Sequence, residues 1–218
     1  LDEARQHARI IHTSAKHLHY LVNTILDLAK IEAGQLDVQP ESVNLRNLVD
    51  PVFQLHRTMA EQKGLRAEVS YHEALPPAIC TDPTRLTQIL NNLLHNAVKF
   101  TPSGRILLQV FHDQGVWHFT VHDTGIGMDA DQIAQLSQRF SNIHIEQPEL
   151  RTQQGAGLGM ALTQELVTLL RGRMQVISVK GRGTAVRVAL PDLASAPPAT
   201  QDGIAPLPPT ATGPAPFP

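Results

Sequence analysis

Apolar residues recur at helical spacing along the first stretch of the chain. Ile11, Leu18, Leu21, Ile25 and Leu28 follow one another at intervals of three, four or seven, which predicts one long amphipathic helix over residues 1–34. No proline interrupts it, and Gly34 supplies a stop. An apolar stripe on a leading helix requires a partner, either a neighbouring helix or a second chain.

From Leu36 the pattern changes. Leu36-Asp37-Val38 predicts a short strand. A helix is expected over about 44–62, ending near Gly64, with Pro51 in its early turns predicting a late start or a kink. Residues 65–71 and 77–80 predict strands. Asp82 suits an N-cap and Pro83 a first helical position. The helix they open, to about Phe100, sets Leu86, Ile89, Leu90, Leu93, Leu94 and Ala97 on one broad face. Strands are expected over 106–111 and 117–121, around the hairpin signal Asp113-Gln114-Gly115. A short helix at about 129–138, an irregular polar stretch over 141–156 and a helix at about 158–170 follow. A last pair of strands, 174–178 and 185–190, flanks a glycine-rich turn. From Pro191 the chain is rich in Pro, Ala and Thr without periodicity. Such a segment buries too little apolar surface to offset its ordering entropy, so a disordered tail is expected. The fold class is α+β: a two-layer α/β sandwich, with helices on one face of a mostly antiparallel sheet, preceded by one long helix. The expected units are the helix 1–34, a domain over 35–191 and the tail 192–218.

Composition narrows the function classes. The 218 residues carry a net charge of −2 with His neutral, which gives no reason to expect a nucleic-acid or anionic-membrane surface. Cys80 is the only cysteine, which rules out an internal disulfide and argues against a cysteine-based metal cluster; it reads as a small buried apolar residue. No apolar run approaches the ~20 residues of a membrane span, and no signal peptide is visible. The chain as given is expected to be soluble and cytoplasmic. It begins inside a helix, as a piece of a longer protein would.

Three segments carry the chemistry. On the helix 83–100, Asn92 and Asn96 are four apart and share a face, nearly with Lys99. Asparagine oxygens suit magnesium, which protein groups hold sparsely alongside phosphate oxygens and water, and Lys99 offers a positive charge to phosphate. Alone, the three would equally make a helix face turned to water. Asp123-Thr124-Gly125-Ile126-Gly127 ends a strand on a carboxylate beside a tight turn. That Asp can accept from an amino group, and the glycines let a planar ring approach the backbone; an Asx-capped turn is the plainer alternative. Gly155-Ala156-Gly157-Leu158-Gly159 opens a helix, where unpaired backbone N–H groups bind phosphate. No Gly-Lys-Ser/Thr follows, so this is not a Walker loop. Arg151 stands four residues earlier, within reach of a terminal phosphate or simply solvated. The order of the three, within about 70 residues, points to a nucleotide pocket.

Together these segments resemble the GHKL (Bergerat-fold) superfamily of ATP-binding domains, and within it the catalytic domain of sensor histidine kinases. The resemblance runs over nearly all of residues 1–191. It rests on Arg85, Gln88, Asn92, Asn96, Lys99, Phe100 and Thr101, on Asp123, Gly125 and Gly127, and on Gly155, Gly157, Leu158 and Gly159. It implies ATP and Mg2+ as cofactors, with Asn96 the metal ligand and Asn92 and Lys99 near the phosphates. By the same likeness Asp123 contacts the adenine amino group, Gly125 and Gly127 line the adenine, and Phe140 is the second aromatic of a family Phe segment. Residues 141–156 become a lid, with Gly157 and Gly159 its hinge. Leu26-Asp27-Leu28-Ala29-Lys30-Ile31-Glu32-Ala33-Gly34 is similar to the end of the second helix of the family's dimerisation and phosphotransfer hairpin. The likeness therefore implies a homodimer through that helix and a response regulator or receiver domain as partner. It implies no nucleic acid and no direct membrane contact for this stretch, even where a parent is anchored in the bacterial inner membrane.

The chain departs from that pattern in three places. Leu136 stands where a Phe is usual, Gln154 where a glycine often precedes, and the hairpin's first helix with its phosphoacceptor histidine is absent. His72-Glu73-Ala74-Leu75-Pro76-Pro77 imitates the acceptor motif, but two prolines deny it a helix. In related ATPases a Glu stands at the place of Asn92; an amide cannot serve as base, so transfer to an imidazole is expected over hydrolysis. A non-catalytic ATP-binding or dimerisation module, or a serine-directed kinase of the same superfamily, remains the alternative.

Overall fold

A computed structural model describes residues 22–31, 33–141 and 157–194, together with Ala15 and Leu18. Helix α1 covers residues 22–31 and closes on Gly34 at φ +64°. There Gln35 N donates to the Lys30 carbonyl (2.8 Å) and Gly34 N to that of Ile31 (2.9 Å), the left-handed glycine stop predicted from sequence. The stripe on this helix is divided. Leu28 and Ile31 pack against the domain core, while Leu18, Val22, Ile25 and Leu26 stay exposed.

After α1 come β1 (Glu41–Asn44), α2 (Leu45–Gln62), β2 (Arg66–Tyr71), β3 (Ala78–Thr81) and α3 (Pro83–Phe100). Then follow β4 (Arg105–Asp113), β5 (Val116–Asp123), α4 (Ala130–Ser141), α5 (Gly157–Leu169), β6 (Arg173–Val179) and β7 (Gly183–Pro191). Five strands form one sheet in the order β2-β4-β5-β7-β6. Only the β2–β4 pair is parallel; β4–β5, β5–β7 and β6–β7 are antiparallel. A separate two-stranded ribbon joins β1 to β3. The two-layer α/β sandwich is therefore observed.

Three local expectations are corrected. Residues 36–38 form no strand; the paired segment is Glu41–Asn44, against Ala78–Thr81. Leu36 and Val38 still pack on the core, because an extended chain laid along a domain shows the same alternation as a strand. Pro40, which lacks an N–H, separates the two stretches. Helix α2 also starts at once rather than late, with the Asn44 side chain accepting from Asn47 N (3.0 Å), and its helical turns continue past Pro51. Pro51 and Asn47 are both exposed, so water can satisfy the carbonyl that Pro51 leaves unpaired. Cys80 is half-buried rather than buried.

The core lies between the helices and one sheet face. Leu86, Ile89, Leu90, Leu93 and Leu94 of α3 are at most 2 % exposed; each contributes about 1.5–3 kcal/mol by burial. They meet Trp117, Phe119 and Val121 of β5 and Leu162, Leu166 and Val167 of α5. The β4–β5 hairpin turns on Gln114 (φ +48°) and Gly115 (φ +79°), the paired positive φ of a type I′ turn that matches strand twist.

Candidate functional site

Helix α3 is fixed at both ends. Asp82 Oδ1 accepts from Thr84 N (3.0 Å) and Arg85 N (3.1 Å), while Oδ2 accepts from Gln39 N (3.1 Å). One carboxylate thus caps the helix and clamps the linker that leads from α1. At the other end Lys63 Nζ donates to the carbonyls of Val98 (2.7 Å) and Lys99 (3.0 Å), and Thr101 Oγ1 donates to that of Ala97 (2.7 Å). Near the start, Arg85 Nη1 donates to Gln88 Oε1 (3.2 Å) and Gln88 Nε2 to Asp27 Oδ2 (2.8 Å). The leading helix is thereby tied to the helix that carries the asparagines.

Asn92 Nδ2 donates to Thr163 Oγ1 (2.5 Å), and Thr163 Oγ1 donates to the Gly159 carbonyl (3.0 Å). The glycine motif at the head of α5 is bound to α3 through this buried threonine. Asn96, one turn on, is half-buried, and its side-chain amide has no hydrogen bond to any described residue. Lys99 is exposed, its Nζ 5.0 Å from the centre of the Phe100 ring.

Asp123 ends β5 on the helix-covered face of the sheet. Gly125 N (2.9 Å) and Thr184 N (3.3 Å) both donate to its Oδ1. Among the described residues nothing donates to Oδ2. Burial raises the carboxyl pKa above its ordinary value, against the two backbone hydrogen bonds that lower it.

The glycines after Asp123 are explained by packing. A Cβ on Gly125 would run into the Phe100 carbonyl, and Ile126 N donates to that same oxygen (3.2 Å). Gly127 sits at φ +60°, and a Cβ there would strike the Val179 carbonyl. Gly181 N donates to the Ile126 carbonyl (2.7 Å). The turn is wedged between the end of α3 and the β6–β7 hairpin, so Asp123 and the asparagine helix share one registration.

A nucleotide fits these donors and acceptors. An amino group can donate to Asp123 Oδ2, and the half-buried Asn96 amide has an oxygen for a hard cation. Gly157, Leu158 and Gly159 begin α5, where the first helical N–H groups have no intrahelical acceptor. Phe140 lies on the α4 backbone. Arg151 and Gly155, and most of the expected lid 141–156, lie outside the described residues, as do residues 1–14 and the tail from 195 on. Sequence reading missed Thr163, Thr184 and Gly183. Gly183 sits at φ +107°, where a Cβ would strike the Asp123 carbonyl. A mid-helix threonine gives no sequence signal; only the Gly181-Arg182-Gly183 turn did.

Residues 81–194 match the model of the histidine kinase-, DNA gyrase B- and HSP90-like ATPase family. The chain belongs to this family. Within it, this ATPase domain is of the sensor histidine kinase type. It is 37% identical over 200 residues to the non-motile and phage-resistance protein of Caulobacter vibrioides, covering 89% of the chain and 23% of that protein. It is 37% identical over 195 residues to the circadian input-output histidine kinase CikA of Synechococcus elongatus, covering 88% and 25%. The chain thus spans about a quarter of these relatives. Full-length ShkA in complex with AMPPNP superposes with a TM-score of 0.72 at 31% identity, over 86% of the chain and 38% of that structure. The histidine kinase AdeS of Acinetobacter baumannii shares the fold, with a TM-score of 0.66 at 18% identity over 83% of the chain and 81% of AdeS.

Proposed function

We propose that this ATPase domain binds Mg-ATP and passes the γ-phosphoryl group to a histidine on a helix outside the sequence given. The observation that carries the reading is the pairing of Asp123, with Oδ2 open to a donor, and Asn96, with an unpartnered amide on the adjoining helix. Bound ATP would supply the phosphoryl group, and its magnesium ion would neutralise charge. Asp123 selects adenine through its amino group, with Gly125, Gly127, Phe100 and Phe140 beside the ring. Asn96 holds the metal, and Lys99 and Arg151 offset phosphate charge. Asn92 acts by fastening α5, so that the N–H groups near Gly155, Gly157, Leu158 and Gly159 face the phosphates. None of the residues assigned to the metal and phosphates is a base for water, which favours transfer over hydrolysis.

The rest of the reading concerns assembly. The exposed Leu18, Val22, Ile25 and Leu26 support a homodimer through the leading helix. Residues 1–34 are taken as part of a phosphotransfer hairpin, 35–191 as the catalytic unit and 192–218 as a linker. A receiver domain of a response regulator is the downstream partner. No described helix is long and apolar enough to cross a membrane; we assign the domain to the cytoplasm, under a parent anchored in the inner membrane or not.

The test is incubation with γ-labelled ATP and a protein supplying the missing first hairpin helix. Acid-labile label on that helix is expected, and its loss in Asn96→Ala. Acid-stable label would mean serine chemistry, and no label a binding module; either overturns the proposal.

A further inference from the structure

The five-stranded sheet has two faces, and the core helices pack on one of them. β5 directs Trp117, Phe119 and Val121 into the core; alternation sends His118, Thr120 and His122 to the other face. Register sets Arg187 of β7 directly across from Thr120, and Ala189 and Ala185 across from His118 and His122. On the far side Gln109 faces Thr120 and Phe111 faces His118. The Phe111 and His118 rings stack at 4.4 Å.

This patch holds an unusual concentration of unsatisfied polarity. Thr120 is only 3 % exposed, and its Oγ1 is buried without a hydrogen-bond partner among the described residues. His118 Nδ1 and Arg187 Nε are in the same state. Buried polar atoms are nearly always paired in folded proteins. An unpaired guanidinium nitrogen with two further orphans beside it marks a place where an acceptor belongs.

Charge and apolar surface indicate what kind of acceptor. Alternation puts Arg66, Arg105, Arg173 and Arg187 on this face, with Glu68 and Asp113 as its acids. Asp113 and His112 act on His118 from the hairpin side, and Arg187 on both His118 and His122. No described carboxylate forms an ion pair with Arg187. The face is net positive on a chain whose net charge is −2. Ile177 (52 % exposed) and Val179 (54 %) lie on the same face, and neither they nor Leu107 and Phe111 belong to the core. A phosphodiester strand or a lipid surface is held by several projecting cations. Here the projecting Arg66 and Arg105 stand at one end of the face, while the guanidinium at its centre is recessed among rings and flanked by bare aliphatic side chains, a combination that suits a protein segment.

We propose that the outer sheet face docks an acidic, apolar segment of a partner protein. A carboxylate of the segment seats on the Arg187 guanidinium and, as the side chains covering them part, accepts hydrogen bonds from Thr120 Oγ1 and His118 Nδ1, while its aliphatic side chains cover Ile177 and Val179. This surface lies across the sheet from Asp123 and Asn96 and uses no residue assigned to the nucleotide.

The test uses the full chain and two short synthetic peptides, one of Leu and Glu and its counterpart of Leu and Gln. The Leu/Glu peptide is expected to shift the Arg187 Nε–H and His118 ring signals in NMR spectra. Its affinity should fall about tenfold or more in Arg187→Gln, a loss of the size expected for a charge-assisted pair, and severalfold in Thr120→Val. Affinity for an ATP analogue should be unchanged in both variants, which certifies the fold and separates this proposal from the nucleotide reading. If Arg187→Gln does not fold, Thr120→Val decides. Equal binding of the Leu/Gln peptide, unaltered affinity in a folded variant, or signal changes confined to the helix-covered face would overturn the proposal. So would inorganic phosphate displacing the peptide at comparable concentration, which would reveal a small-oxyanion site instead.

Discussion

The side-chain amide of Asn92 donates to the hydroxyl of Thr163 at 2.5 Å, and that hydroxyl donates onward to the Gly159 carbonyl at 3.0 Å. A helix bearing the amide proposed to hold the metal and a helix opening on the glycine motif are thereby held by one relay. Thr163→Val keeps the shape and removes the relay, taking from the Asn92 amide and the Gly159 carbonyl the hydroxyl that each is bonded to. A stability loss of about 1–3 kcal/mol is expected, read by urea denaturation, together with weaker ATP-analogue binding by calorimetry. A variant that loses stability alone would mean that the relay only holds the two helices together.

Asp123→Asn separates recognition from folding. The substitution preserves an oxygen for Gly125 N and Thr184 N but puts a donor where the Oδ2 acceptor stood. Affinity for ATP should fall about 10–100-fold, the range of a lost hydrogen bond to a charged group. The ionised carboxylate is itself penalised by burial, so the melting temperature of the variant should be no lower than that of the native chain. Unchanged affinity by calorimetry would refute the adenine assignment.

Gly125→Ala tests the wedge. The new Cβ would meet the Phe100 carbonyl and lie 2.8 Å from Asp123 Oδ1, so the turn must move off the end of α3. Both stability and ATP affinity should drop, by about 1–3 kcal/mol in the first case. Gly64→Ala is a useful contrast. Its Cβ meets nothing within 4 Å but its φ is +78°, so it should cost stability through backbone strain alone and leave ATP binding intact.

Acid should destabilise the domain through three histidines. Burial lowers the pKa of His56, His118 and His122, with Arg187 adding to the effect at His118 and His122. A depressed folded-state pKa means that the folded form binds fewer protons than the unfolded one. The stability is present above the unfolded value of 6.5 and is lost as pH falls through the lower folded values. The melting temperature should therefore fall as the solution is acidified below 6.5, and less steeply in His118→Gln. An unchanged slope in that variant would show that His118 does not titrate in this window.

Some elements were legible because one local rule specified each. Asp82-Pro83 announces the start of α3, and the alternation around Asp113-Gln114-Gly115 announces the hairpin. Leu36-Asp37-Val38 misled because alternation reports one buried side, not a hydrogen-bonded neighbour. Pro51 misled because its cost depends on whether water reaches the freed carbonyl, which burial decides. Gly125 and Gly127 were noticed for a different reason from the one the packing supplies.

The sequence alone determined what each segment offers: an amide-bearing helix, a carboxylate at a strand end, a glycine-led helix and an amphipathic leading helix. These properties are local, set by side-chain chemistry and spacing. The tertiary structure decided which of those groups are occupied. Thr163 takes up Asn92 while Asn96 stays open, two amides bind one oxygen of Asp123 and leave the other, and Arg187 is stranded across from Thr120. Partnership of this kind depends on distances between segments far apart in the chain, which only packing of the core fixes.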